Sequence, residues 1–104
     1  MIVVARFAVA PGEDTSFREE AAAALAALAE RPGWLRGRLG RAADDAGLWL
    51  LVTEWVGVGA YRRALGGYDV KVAAAPLLAR ALPEPSAFEV LYDSAGPTRG
   101  SDRA

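Results

Sequence analysis

The 104-residue chain contains no histidine, no cysteine, no asparagine and no glutamine. Without cysteine there is no disulfide framework, no thiolate nucleophile and no thiolate metal site. Without histidine a Ser-His-Asp arrangement cannot be assembled. Only carboxylates remain as metal ligands, and Asp44-Asp45 is a lone pair in loop-forming sequence, so no metal is expected. The glycine stretches Gly57-Val58-Gly59 and Gly66-Gly67 do not match a dinucleotide fingerprint. No apolar run reaches about 18 residues, and no basic segment precedes the first strand, so a cytoplasmic protein without a membrane partner is expected. A net charge of −1 gives no electrostatic reason to expect nucleic acid. All but one of the twelve basic residues are arginine. In an Ala- and Gly-rich chain that pattern fits GC-rich coding, a bland reason for any single Arg.

What is present is 53% hydrophobic and 24% charged, the composition of one globular domain. Residues 2–9 alternate, with Val3, Ala5, Phe7 and Val9 on one face and Arg6 interrupting the other. Ala10-Pro11-Gly12 is a turn. A helix follows whose apolar positions Phe17, Ala21, Ala24, Leu25 and Leu28 form one stripe, with Ser16 and Glu19 as a capping box. Arg31-Pro32-Gly33 ends it. The second strand spans residues 34–41, with Arg36 and Arg38 expected on the face of Trp34, and Leu35 and Leu39 on the other. Asp44-Asp45-Ala46-Gly47 reads as a hairpin loop, and residues 48–55 as the third strand. Helical pieces are expected over 60–65, 68–75 and 77–81, broken by Gly66-Gly67 and Pro76. Pro83-Glu84-Pro85 precedes a fourth strand over 87–92.

The order β-α-β-β-α-β is the ferredoxin-like, split βαβ motif of the α+β class. It implies four antiparallel strands with helices on one face, forming a domain over 1–92, with a flexible tail over 93–104. Both sheet faces are substantially apolar and the helices cover one. The other is expected to meet a second copy, giving an isologous homodimer.

The third strand places Trp49, Leu51, Thr53 and Trp55 on one face, and the helix after it opens with Tyr61, Arg62 and Arg63. These groups converge where the sheet meets a helix, so a pocket for a flat aromatic molecule is expected there, bordered by Trp55. Each residue also has a plain structural reading: the indoles as core, Tyr61 as a surface phenol, Arg36 and Arg38 as a solvated face or ion-pair partners. Arg6 on an apolar strand needs a partner, and Glu54 or Glu89 on neighbouring strands is expected to supply it. By the two-residue period Glu54 points away from the pocket.

Over roughly residues 1–92 the chain resembles the antibiotic biosynthesis monooxygenase family, within the dimeric α/β barrel superfamily. The resemblance is carried by Arg31-Pro32-Gly33-Trp34, by Leu50-Leu51-Val52-Thr53-Glu54-Trp55 and by Ala60-Tyr61-Arg62-Arg63-Ala64-Leu65. It implies a cofactor-independent oxygenase that turns a phenol or hydroquinone into a quinone. Trp55 and Tyr61 resemble the residues that line the pocket of quinone-forming members, and Arg80 stands for an Arg in their second helical region. Trp49, Leu51, Thr53 and Leu65 then complete the substrate-binding wall. The chain departs from the family in lacking the Asn of the third strand, whose slot is Leu51, and the His of many members, which excludes haem ligation by His. The alternatives are a non-catalytic dimer that binds a small molecule, favoured where Leu51 and Leu65 fill the pocket, and a lactone isomerase.

Overall fold

A computed structural model of the chain describes residues 1–95; residues 96–104 of the expected tail lie outside the described residues. The elements are β1 (Ile2–Ala8), α1 (Asp14–Ala29), β2 (Trp34–Ala42), β3 (Asp45–Trp55), α2 (Val58–Leu65), α3 (Tyr68–Ala73), α4 (Ala75–Leu78) and β4 (Ala87–Phe88). The strands lie in the order β2-β3-β1-β4 and every neighbouring pair is antiparallel. This is the ferredoxin-like arrangement that the element order implies.

Alternation sets the core. On β1 and β3 the residues Val3, Ala5, Phe7, Trp49, Leu51, Thr53 and Trp55 are buried, and their neighbours along each strand are only half-buried. The α1 stripe of Phe17, Ala21, Ala24 and Leu28 closes on that face, joined by Ala60, Ala64, Val70 and Leu77 from the later helices. Full burial of a side chain as large as Phe17 contributes about 1.5–3 kcal/mol. The capping box does not form, because α1 begins at Asp14 and leaves Ser16 inside the first turn. There its hydroxyl donates to the Glu13 carbonyl at 3.0 Å.

The helix is stopped by a tight turn. The Trp34 N–H donates to the Arg31 carbonyl at 3.3 Å, with Pro32 and Gly33 as central residues and Gly33 at φ +90°. That is a type II turn, whose third position favours glycine. A Cβ at Gly33 would also overlap that of Ala60, so the turn fixes how closely α2 approaches. Beyond it lies a correction to the expected faces of β2. Trp34 is opposite Trp55 but Arg36 is opposite Glu54, so one extra residue, Leu35, is accommodated as a bulge. Trp34 therefore shares the helix-covered face with Gly37 and Leu39, while Arg36 and Arg38 turn to the other. The Trp34 ring lies over Gly37, where a Cβ would sit 2.5 Å from Cη2.

The hairpin is tighter than expected, since β3 starts at Asp45 and the turn is Ala43-Asp44. The final strand is shorter. Pairing on β1 ends with Ile2 opposite Phe88, so residues after Phe88 have run past the end of their partner strand. The expected strand over 87–92 is accordingly confined to Ala87–Phe88.

On the uncovered face one Glu54 oxygen accepts from Arg36 Nε at 2.8 Å and from Arg38 Nη2 at 2.9 Å. The Arg36 hydrogen bond is the main cause holding the Glu54 carboxyl below its ordinary value of 4.5. A carboxyl depressed by folding stabilises the fold above its unfolded pKa and loses that effect as pH falls through the folded one. Glu54→Gln is expected to lower stability at pH 7 by about 0.5–1 kcal/mol in urea titrations. The gap to wild type should close as pH falls below 4.5; a gap that persists in acid would mean the pair is not its source.

Candidate active site

Two aromatic clusters stand at opposite ends of the buried sheet face. At one end Phe17 meets Phe7 at a centroid distance of 5.2 Å and Trp49 at 5.4 Å. At the other, Trp55 meets the Trp34 ring edge-on at 5.4 Å and the Tyr61 ring at 5.6 Å. Ring pairs in such geometries contribute about 0.5–1.5 kcal/mol beyond their burial. Between the clusters the sheet carries smaller groups, in the cross-strand pairs Val3↔Thr53 and Ala5↔Leu51.

Above these smaller groups the helices leave space. An inner void of about 10 Å³ is lined by Val3, Ala5, Leu28, Leu51, Thr53, Tyr61 and Leu78. It shares Val3, Ala5, Tyr61 and Leu78 with an outer cavity of about 150 Å³ that extends to Arg6, Ala81, Glu84 and Ser86. Two larger hollows are wider open to solvent. One, of about 310 Å³, is lined by Arg6, Leu48, Trp49 and Leu50, and the other, of about 330 Å³, lies beside Pro11 and Gly12.

Trp55 does not border open space, contrary to the expectation from its strand face. It is fully buried, it lines neither void, and its Nε1 donates to Thr53 Oγ1 at 2.9 Å. The β2 bulge is the reason, because it brings the Trp34 ring onto the indole. Tyr61 lines both voids instead, and its hydroxyl has no hydrogen-bond partner among the described residues. Burial pushes its phenol above the ordinary 10.0, so the hydroxyl keeps its proton at neutral pH.

The other expected site residues divide. Leu51 and Thr53 line the inner void, while Leu65 packs against the core and lines neither cavity. Trp49 belongs to the far cluster, flanked by the guanidinium groups of Arg18 at 5.5 Å and Arg41 at 5.4 Å. Arg80 does not reach the cavity. Its Nη1 donates to both oxygens of Glu20 at 3.1 and 3.2 Å, and its guanidinium lies 5.7 Å from the Phe17 ring.

Arg6 borders the outer cavity from the edge of β1, with its side chain on the uncovered sheet face opposite Leu50. It pairs with Glu84 at 3.3 Å, not with Glu54 or Glu89 as the strand order suggested. Sequence reasoning passed over both members as site residues, although a charge on an apolar strand and the motif Pro83-Glu84-Pro85 were its visible traces. Among the described residues no group of three or more carboxylates is placed to hold a metal, and no helix is long and apolar enough to cross a membrane.

The profile of the antibiotic biosynthesis monooxygenase family matches residues 1–75. The chain belongs to that family. Its fold is similar to that of SnoaB, a cofactor-independent oxygenase from Streptomyces nogalater. In one crystal structure of that enzyme the identity is 26% and the TM-score 0.75, over 91% of this chain and 96% of SnoaB. In another the values are 28% and 0.69, over 88% and 96%. Rv0793 from Mycobacterium tuberculosis shares the fold at 21% identity and a TM-score of 0.69, covering 89% of this chain and 96% of that one. No curated protein matches the sequence.

Among the described residues, Thr53 is the acceptor for the Trp55 indole. Thr53→Val, close in shape, leaves that buried donor unpaired and is expected to destabilise the fold by about 1–3 kcal/mol. Urea unfolding followed by tryptophan fluorescence measures it, and an unchanged midpoint would mean the indole finds water.

Proposed function

We propose that this chain is a cofactor-independent monooxygenase that converts an electron-rich phenol or hydroquinone into a quinone. The observation that carries the reading is the cavity of about 150 Å³, with apolar walls at Val3, Ala5, Leu78 and Ala81 and, on its lining, Tyr61, whose hydroxyl is unpartnered among the described residues. SnoaB, similar over nearly its whole length, is described as a cofactor-independent oxygenase.

In this mechanism the substrate ring lies on the apolar wall, and Tyr61 donates a hydrogen bond to its phenolic oxygen. The donor favours the phenolate. The phenolate passes one electron to dioxygen, and the resulting radical pair couples at a ring carbon that bears hydrogen. That carbon loses its proton, the O–O bond breaks, one oxygen atom stays as the new carbonyl and the other leaves as water. The substrate supplies all four electrons, so no external reductant enters the balance. The protein contributes orientation, exclusion of water and stabilisation of charge. Trp55 acts through Tyr61, holding the phenol ring in place from behind.

The same reading includes a homodimer. Ile2, Val4, Leu50 and Val52 are only half-buried on the uncovered sheet face, and Val90, Leu91 and Tyr92 stand exposed beyond β4. An apolar face of this kind favours a second copy. Sedimentation velocity at micromolar concentration is expected to give a dimer, and a lone monomer peak would contradict the docking.

Oxygen consumption with hydroquinones of one, two and three rings tests the chemistry. Uptake above buffer is expected for at least one of them, reduced about 10²-fold in Tyr61→Phe, a loss within the range for a positioned proton-handling group. Trp55→Phe should lower it less. A non-catalytic small-molecule binder is the second reading, favoured by the closure of the inner void to about 10 Å³. No uptake with any member of the series would select it.

A further inference from the structure

The two voids above the middle of the sheet lie in line, running inward from the β1 edge toward β3. Val3, Ala5, Tyr61 and Leu78 line both, so the voids meet along a common wall. The outer one extends to Ala81 and to the segment over 82–86. The inner one ends on Leu51 from the sheet and Leu28 from α1, which are 2% and 1% exposed.

These dimensions limit what the site takes. About 150 Å³ matches the space known to hold one benzene ring. About 10 Å³ is at the lower limit for a single water, so a ring seated beside Tyr61 has no room to extend inward. On the outer side, residues 82–86 are fastened to β1 by backbone hydrogen bonds at both ends. A second ring would stay in water and gain nothing from burial.

The inner limit is set by bulk at one strand position. Of the β3 residues that face the helices, Leu51 and Thr53 line the inner void. The Thr53 hydroxyl is held by the Trp55 indole, so that side chain has a fixed task. Leu51 has no such tie. Its partner on β1 is Ala5, a small residue shared by both voids, so the open space stops where the sheet steps up from Ala5 to Leu51. Cutting a buried Leu back to Ala leaves a cavity, because the surroundings relax only in part.

Building on the oxygenase reading, we propose that Leu51 fixes the ring count of the substrate: the site takes a single-ring phenol or hydroquinone, and room for a second ring lies latent behind this side chain. Leu51 thereby acts as an end stop for the ring, while Tyr61 takes the phenolic oxygen.

The test is an NMR titration under nitrogen, independent of turnover, that follows the methyl signals of Leu51 and Leu78. The ligands are hydroquinone and 1,4-dihydroxynaphthalene, with wild type, Leu51→Ala, Leu51→Val and Ala81→Leu. The readout is the ratio of the two affinities, since a merely loosened fold lowers both together. Wild type is expected to bind hydroquinone and to bind the two-ring ligand no more tightly. Leu51→Ala should shift the ratio about tenfold toward two rings, the usual scale for apolar room gained in a pocket. Leu51→Val, a smaller cut that keeps the fold if the Ala variant does not, should shift it the same way by less. Ala81→Leu, at a half-buried position, fills the outer cavity and should weaken both ligands about tenfold. Tighter binding of the two-ring ligand by wild type would overturn the proposal. So would a ratio unmoved in the Leu51 variants, or no shift at Leu51 and Leu78 with either ligand. Preference for one ring without oxygen uptake from any hydroquinone would keep the end stop and remove the oxygenase. Uptake from the two-ring ligand, bound more tightly than hydroquinone by wild type, would do the reverse.

Discussion

The central pairing of β1 with β3 is the constraint on which the rest of the molecule rests. Its register, Val3↔Thr53, Ala5↔Leu51 and Phe7↔Trp49, decides which side chains face the helices. Because strand side chains alternate, a slip of one residue would turn the whole buried set outward. The same register places large rings at the two ends of the face and small groups between them. The helices therefore rest on the sheet through Phe17 against Phe7 and Trp49 at one end and through Tyr61 against Trp55, backed by Trp34, at the other. Space remains between these supports. The cavity follows from where bulk is distributed along two strands, with no need for a separate loop to enclose it.

The division of labour among the aromatic residues comes from the same arrangement. Trp55 is satisfied at its nitrogen by Thr53 and packed against rings from Trp34 and Tyr61, so it contributes rigidity. Tyr61 is the outermost ring of that stack and the one that meets empty volume. A phenol held from behind by a fixed indole loses little orientational freedom when it binds a ligand, which is what preorganisation requires. Leu51 leaves the inner wall without a polar group at that position, and the polar side chains on the lining of the inner void are Thr53 and Tyr61.

Local periodicity was enough to read β1, the α1 stripe and the inner face of β3 from sequence, because each depends on alternation or helical spacing alone. Where the fold depends on one residue more or less, the sequence was mute. The extra residue at Leu35 reverses the face of Trp34 relative to Arg36, and composition does not announce such a bulge. Strand β4 reads as long because 87–92 alternates, but its length is set by β1, which ends first. Arg80 could not be placed without knowing how the breaks at Gly66-Gly67 and Pro76 rotate the short helices; its partner is Glu20 on α1. Likewise the partner of Arg6 comes from a bridge between elements, not from a strand. The family was legible from three short phrases, whereas the identity of the residues at the cavity depended on long-range packing.

Residues 82–86 run beside β1, tied to it by Leu82 N–H to the Arg6 carbonyl at 2.8 Å and by Val4 N–H to the Ser86 carbonyl at 2.7 Å. Any sheet ends in two edges, and an open edge invites another chain to add to it. Beside β1 that position is held by a segment in which two of the residues, Pro83 and Pro85, have no amide hydrogen to offer an incoming strand. The opposite border, β2, carries Arg36, Arg38 and Arg41, whose charges discourage stacking of copies side by side. Growth into fibrils by lateral addition is thus opposed at both borders.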